Sequence, residues 1–234
     1  MEPKEVILRA LEEGRGKLLE HEAYEFLGYY GLPVPKFGLA TSPDEAVEIA
    51  NRVGYPVVLK VVSPDIVHKS DVGGVKVNLA SDEDVRKWFD TIMLNVRSRA
   101  PSARVVGILV QEMVPQDLEV IVGATRDPVF GPVVMFGLGG IFVEVLKDVS
   151  LRITPLTEYD AEEMLNEIRA SSILRGYRGA PPRDRKALVD VILKVGRVME
   201  EVPEVTDIDL NPIMSFPEGQ GAKIADARVL IKKV

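Results

Sequence analysis

The stretch Leu59-Lys60-Val61-Val62-Ser63-Pro64-Asp65-Ile66-Val67-His68-Lys69-Ser70-Asp71-Val72-Gly73-Gly74-Val75 decides the reading of this chain. The apolar, β-branched run at 57–62 predicts a strand, and Val75, Val77 and Leu79 alternate with Lys76 and Asn78 as a half-buried strand does. Between the two lies a polar loop with one histidine, flanked by the turn formers Ser63-Pro64-Asp65 and Ser70-Asp71 and closed by a glycine pair. Gly73 and Gly74 permit backbone angles denied to bulkier residues, so their amides are expected to approach phosphate oxygens. A histidine in such a loop suits phosphate chemistry, because a neutral imidazole nitrogen is nucleophilic and its reference pKa is close to neutrality.

Upstream, residues 4–30 read as two helices broken at Gly14-Arg15-Gly16, the second ending near Gly31 with Pro33 beyond it. Gly14-Arg15-Gly16-Lys17 lacks the spacing and the following Ser or Thr of a P-loop and is read as a helix break. After a short strand at 36–40, Ser42-Pro43-Asp44-Glu45 supplies an N-cap, a proline at the first helical position and an acid at the third. Downstream, Ser81 caps a helix whose Val85, Trp88, Phe89 and Ile92 share a face, with Trp88 read as core rather than as a stacking platform. Strands are predicted at 104–113 and 118–125, separated by the hinge candidate Val114-Pro115-Gln116-Asp117. Another strand, at 130–136, runs into Gly137-Leu138-Gly139-Gly140, whose spacing is not that of the dinucleotide fingerprint. Thr157 caps one later helix, and Leu188, Val191, Ile192, Val195, Val198 and Met199 mark the buried face of another. Strands at 205–214 and 223–231 close a chain whose hairpins mix with helices, which favours an α+β architecture over a βαβ series.

Two further stretches carry chemistry. In Asp207-Ile208-Asp209-Leu210-Asn211-Pro212, strand alternation sets Asp207, Asp209 and Asn211 in a row. A hairpin centred near Glu218 or Gly219 brings Asp226 roughly opposite Asn211, collecting the oxygen ligands that Mg²⁺ prefers; an acidic sheet edge beside a turn is the plainer reading. In Leu109-Val110-Gln111-Glu112-Met113-Val114, an apolar strand enters the hinge and presents backbone groups suited to an adenine edge, with Glu119 beyond it able to accept from ribose hydroxyls. A buried strand followed by a solvated acid is the alternative there.

Length and composition bound these readings. A chain of 234 residues with 46% hydrophobic and 28% charged residues has room for one large domain or two lobes, and disordered and fibrous classes are excluded. It contains no cysteine, so disulfides, thiolate metal sites and cysteine nucleophiles are ruled out. The formal charge of −7 speaks against broad nucleic-acid binding, and an anionic ligand needs local cations, a metal or exposed amides. Met1-Glu2-Pro3-Lys4-Glu5 begins a charged amphipathic helix, and no run approaches the ~20 apolar residues of a membrane span, so a cytoplasmic protein without a membrane or nucleic-acid partner is expected.

A lysine on a strand, a glycine loop, a hinge and an acidic hairpin, in that order, resemble the ATP-grasp fold. Residues 58–75 resemble the ATP-grasp subunit of the NDP-forming acyl-CoA synthetases, in particular the β subunits of ADP-forming acetate–CoA ligases. The resemblance covers nearly the whole chain, including Gln111-Glu112-Met113, Gly137-Leu138-Gly139-Gly140, Arg152-Ile153-Thr154-Pro155-Leu156 and Asp209-Leu210-Asn211-Pro212. It implies two α/β lobes with nucleotide between them: one ATP-grasp domain over 1–234, with a small lobe at 22–113, a large lobe at 114–234 and an N-terminal helix at 1–21 attached to the large one.

The same resemblance implies a relay in which acyl phosphate forms on a partner α subunit, phosphate moves to a histidine there, and a second histidine carries it to ADP. His68 occupies the carrier position, which the related succinate–CoA ligases lack; His21 is read as structural or exposed. By resemblance, Lys60 contacts nucleotide phosphate, Gly73 and Gly74 form a mobile phosphate loop, Glu112 and Val114 meet adenine, and Glu119 meets ribose. Asn211 and Asp226 match magnesium ligands, Asp209 lies near the metal and the incoming phosphohistidine, and Glu144 and Arg152 are phosphate-site neighbours. Mg²⁺ and ATP or ADP are the implied ligands, and an α₂β₂ assembly with the CoA-binding α subunit is the implied partnership. A carboxylate–amine ligase using the same fold, or a non-catalytic ATP-binding regulatory module, remain as alternatives at this level.

Overall fold

The computed structural model describes residues 3–140 and 147–233. The chain forms two compact units, one comprising Met1–Leu18, Ala23–Val34 and Val114–Val234, the other Leu19–Glu22 and Pro35–Met113.

The smaller unit is a four-stranded antiparallel sheet with two helices. Its strands β1 (Phe37–Ala40), β2 (Val57–Val62), β3 (Val75–Leu79) and β4 (Gly107–Glu112) run in the order β1-β4-β2-β3. Helices α3 (Pro43–Val53) and α4 (Asp82–Arg99) share its core: Ala46, Ile49, Ala50 and Val53 from one, Val85, Phe89, Ile92 and Val96 from the other, against Leu59, Val61, Ile108 and Val110. Burying each of the larger aliphatic side chains contributes about 1.5–3 kcal/mol, which fixes the strand register by fixing which face looks inward. Lys60 lies between the inward residues Leu59 and Val61 and so falls on the face away from the helices. The expected caps form: Ser42 Oγ accepts from Glu45 N at 3.2 Å, with Pro43 opening the helix, and Ser81 Oγ accepts from Asp84 N at 3.1 Å. Trp88 packs against the core, with Lys76 Nζ 4.1 Å from its ring centroid.

The larger unit is built on β5 (Leu118–Asp127), β6 (Gly131–Leu138), β7 (Val149–Ile153), β8 (Val205–Ser215), β9 (Ala222–Ile224) and β10 (Ala227–Ile231). These pair antiparallel in the order β10-β8-β5-β6-β7, with β9 also on β8. One face is covered by α5 (Glu158–Glu167) and α7 (Arg185–Glu201), joined through the short α6 (Ser171–Leu174); α7 buries the six apolar residues expected from its periodicity. A capping box between Thr157 and Asp160 opens α5. At the N-terminus, α1 (Pro3–Glu12) and α2 (Glu20–Tyr29) flank the break at Gly14, where φ is +71° and Arg15 is turned onto Glu13 and the Lys17 carbonyl.

Three expectations change. Residues 22–34 were assigned to the small lobe and 1–21 to the large one, yet Ala23–Val34 belongs to the larger unit and Leu19–Glu22 to the smaller. Tyr24 Oη donates to the Ala225 carbonyl at 3.1 Å and Ile224 N to the Pro33 carbonyl at 2.9 Å, whereas Glu20 is ion-paired within the smaller unit. The strand foreseen at 223–231 is two strands, β9 and β10, parted at Asp226. Finally, β7 was not foreseen at all.

Candidate active site

The hairpin in the larger unit has the geometry that the acidic row required. Ser215 pairs with Ala222 and Leu210 with Ala227, a single register centred between Glu218 and Gly219. That register sets Asn211 opposite Asp226, and Asn211 N donates to the Asp226 carbonyl at 3.3 Å. Both side chains are exposed, on the same strand face as Asp209. Asp209 sits 3.4 Å from Arg228, a surface pair of little energetic weight, and Asp207 accepts from Thr125 Oγ1 at 2.8 Å. Among the described residues no group of three or more His, Asp or Glu is placed to hold a metal ion. One carboxylate and one amide oxygen on an open sheet face nevertheless fit Mg²⁺, which keeps several waters and completes its shell with substrate phosphates.

In the smaller unit the histidine loop is anchored at both ends and open in the middle. Ile66 is buried at 7% exposure, whereas Val67 and His68 are exposed. Gly73 has φ +64°, and a side chain on Gly74 would place its Cβ 2.4 Å from Val61 Cγ1, so glycine is required at both positions. The amides of this pair do not face outward as expected: Gly73 N donates to the Ser70 carbonyl at 3.0 Å and Gly74 N to the Lys69 carbonyl at 2.7 Å. Their role in this state is to close the loop on itself, with Asn95 Nδ2 on the Gly73 carbonyl at 3.2 Å.

Beside that loop lies a residue that sequence reasoning missed. Glu20, at the start of α2, accepts from Lys60 Nζ at 2.5 Å and from Lys69 Nζ, and its side chain is 3% exposed. Burial alone pushes such a carboxyl up; the two ammonium groups, Lys60 foremost, override this and hold it down at about 2. The strand lysine is therefore oriented by a buried anion, and the residue next to His68 shares the same anion. Nothing local marks Glu20 in the sequence, since its partners lie 40 and 49 residues away.

The remaining candidates divide between the units. Glu112 ends β4, its amide on the Lys36 carbonyl at 2.9 Å and its carboxylate accepting from Lys36 N at 3.0 Å, while Val114 is buried. Glu119 adjoins the glycine turn: Gly139 N donates to its carbonyl at 2.8 Å, and a Cβ on Gly139 would lie 2.8 Å from the Glu119 Cβ. Arg152 is not brought to the acidic row. Asp209, Gly123, Met135 and Leu151 are successive cross-strand partners, so Arg152, the neighbour of Leu151, points to the opposite, helix-covered face. There its guanidinium binds Glu167 of α5 in a fork that raises its pKa further. Glu144 lies outside the described residues.

Two antiparallel α/β units, a strand lysine, a glycine-closed loop and an oxygen-rich hairpin together define an ATP-grasp protein. A family model described as the ATP-grasp domain matches residues 9–231. The chain is 51% identical over 228 residues to the β subunit of acetate–CoA ligase [ADP-forming] I of Pyrococcus furiosus, covering 97% of each. It is 49% identical to acetate–CoA ligase [ADP-forming] I of Archaeoglobus fulgidus, of whose length it spans 33%. Two structures of acetyl-coenzyme A synthetase 1 from Korarchaeum cryptofilum also match. One, with coenzyme A, acetyl-coenzyme A and a phosphorylated phosphohistidine segment in a site I orientation, is 48% identical with TM-score 0.93, covering 98% of this chain and all of that one. The other, with coenzyme A and Mg-AMPPCP and its phosphohistidine segment pointing towards the nucleotide site, is 47% identical with TM-score 0.87 at the same coverage. The chain belongs to the ATP-grasp family, in its branch of ADP-forming acetate–CoA ligase β subunits.

Proposed function

We propose that this chain is the nucleotide-binding β subunit of an ADP-forming acyl-CoA synthetase, converting acyl-CoA, phosphate and ADP reversibly into acid, CoA and ATP, with acetate as the acyl group. The observation that carries this reading is His68, exposed on a loop anchored at Ile66 and at Gly73-Gly74, in a chain similar to a protein whose phosphohistidine segment is seen in two orientations.

In this reading an acyl phosphate forms on a partner α subunit and its phosphoryl group reaches His68 by way of a histidine there. The final transfer breaks the N–P bond of phosphorylated His68 as an oxygen of the ADP β-phosphate forms the new P–O bond, and the electron pair returns to the ring nitrogen. Such a transfer asks the protein mainly for position and charge. Lys60, held by Glu20, offers an ammonium to the phosphates; Glu112 and Val114 meet the base and Glu119 the ribose. Gly73 and Gly74 allow the loop its turn, and Asp209 faces the incoming phosphohistidine. Asn211 and Asp226 would hold Mg²⁺, which when bound offsets the charge of the nucleotide phosphates. Arg152 is a structural ion pair in this account. The partner in this reading is an α subunit, in an α₂β₂ assembly within the cytoplasm; a partner is supported by the relatives named as β subunits. No helix among the described residues is long and apolar enough to cross a membrane.

The test combines the chain with an α subunit, Mg²⁺ and labelled ATP, and maps acid-labile phosphate. Label is expected on His68, and His68→Ala is expected to lose transfer to the α subunit while still binding ATP. Label reaching the β chain of that variant would sink the assignment.

A further inference from the structure

Glu20 divides its two oxygens between the strand and the loop: Oε1 accepts from Lys60 and Oε2 from Lys69, the residue that follows His68. We propose that Glu20 is a positioning residue that latches the His68 segment through Lys69, and that nucleotide tightens this latch by drawing Lys60 toward its phosphates. The inference rests on the relay reading above and adds the device that tells the segment when to stay.

A buried carboxylate shared by two ammonium groups attracts each strongly, because the local dielectric is low. Phosphate oxygens that take up Lys60 leave Lys69 as the nearer counter-charge of Glu20, so the loop is held more firmly while nucleotide is present. Linkage makes the effect mutual: a docked segment favours nucleotide at Lys60 by the same factor. When the segment departs, Lys69 leaves and Lys60 stays, so the carboxylate keeps a cation at either stage and the high cost of stripping a buried charge is avoided. Lys69, with a side chain 25% exposed, sits near enough to water to let go. The segment is otherwise tied by Gly74 N to the Lys69 carbonyl at 2.7 Å, Arg99 Nη1 to the Asp71 carbonyl at 3.1 Å and Asn95 Nδ2 to the Gly73 carbonyl.

Hydrogen exchange of residues 66–74, measured in the complex with the α subunit with and without ADP and Mg²⁺, tests the latch. Wild type is expected to exchange more slowly with ADP; Lys69→Gln and Glu20→Gln are expected to exchange about tenfold faster and to ignore ADP. Phosphate transfer from His68 to ADP should fall about tenfold or more in both, as misplacement of a reacting group predicts, with Glu20→Asp recovering part of it. Lys69→Gln changes a partly exposed side chain and keeps the test alive if Glu20→Gln fails to fold. Wild-type exchange and ADP response in Lys69→Gln overturn the latch. Absence of acid-labile phosphate on wild-type His68 overturns the relay reading instead, and the exchange data separate the two failures.

Discussion

Glu20 shows how much one side chain sets at the scale of a residue. Its carboxyl titrates at about 2 rather than at the ordinary 4.5. A folded-state value below the unfolded one means stability that is present above pH 4.5 and lost as the pH falls toward 2. The difference corresponds to about 3 kcal/mol, so acid denaturation of wild type should steepen over that window, and Glu20→Gln should lose the steep component while being less stable at pH 7. Denaturant midpoints measured between pH 2 and pH 7 check both. At the hairpin, Asn211→Ala and Asp226→Ala each remove one oxygen donor from an exposed pair and should raise the Mg²⁺ concentration for half-maximal activity about tenfold or more. Unchanged metal dependence in both variants would make the hairpin structural. The two sites differ in legibility for a physical reason. Asp209, Asn211 and Asp226 are linked by strand period and a tight turn, so spacing alone put them together. Glu20 meets Lys60 and Lys69 through tertiary packing, which leaves no local pattern.

At the scale of the element, the segment joining β2 to β3 is anchored at buried Ile66 and at Gly73-Gly74. Gly74→Ala would drive a methyl group into Val61 Cγ1 at 2.4 Å and toward the Lys69 carbonyl at 3.0 Å. Overpacking of this kind costs about 1–3 kcal/mol, and a drop of several degrees in the thermal midpoint is the expected reading in calorimetry. Elements with local signals were visible beforehand. Ser42, Ser81 and Thr157 each accept from the third residue of the helix they precede, and α7 shows its apolar stripe undisguised. The strand β7 inverts the usual code. Its apolar Leu151 and Ile153 are exposed at 56% and 49%, while Ser150 and Arg152 turn to the helices and are satisfied by Glu167. Read by hydrophobic alternation, that strand would have its faces exchanged, so alternation gives no sign that Arg152 turns to Glu167 under α5.

At the scale of the whole molecule, the chain matches almost all of the Pyrococcus furiosus β subunit and a third of the longer Archaeoglobus fulgidus protein. The expected outcome of co-expression with an α subunit is a stable hetero-oligomer whose mass, measured by light scattering, equals two copies of each chain. Separate elution of the two chains would count against the partnership. The division into two units was legible at Met113 and Val114, where the proline-containing hinge breaks the strand pattern. It was not legible near the N-terminus, because one continuous helix, α2, contributes residues to both units. The chain passes between the units there three times within seventeen residues, at 18/19, 22/23 and 34/35. Transplanting the histidine loop into another protein therefore cannot be done with the contiguous piece 35–113 alone. Such a graft would arrive with both lysines and without their shared anion, so the four residues 19–22 must travel with it as a separate splice.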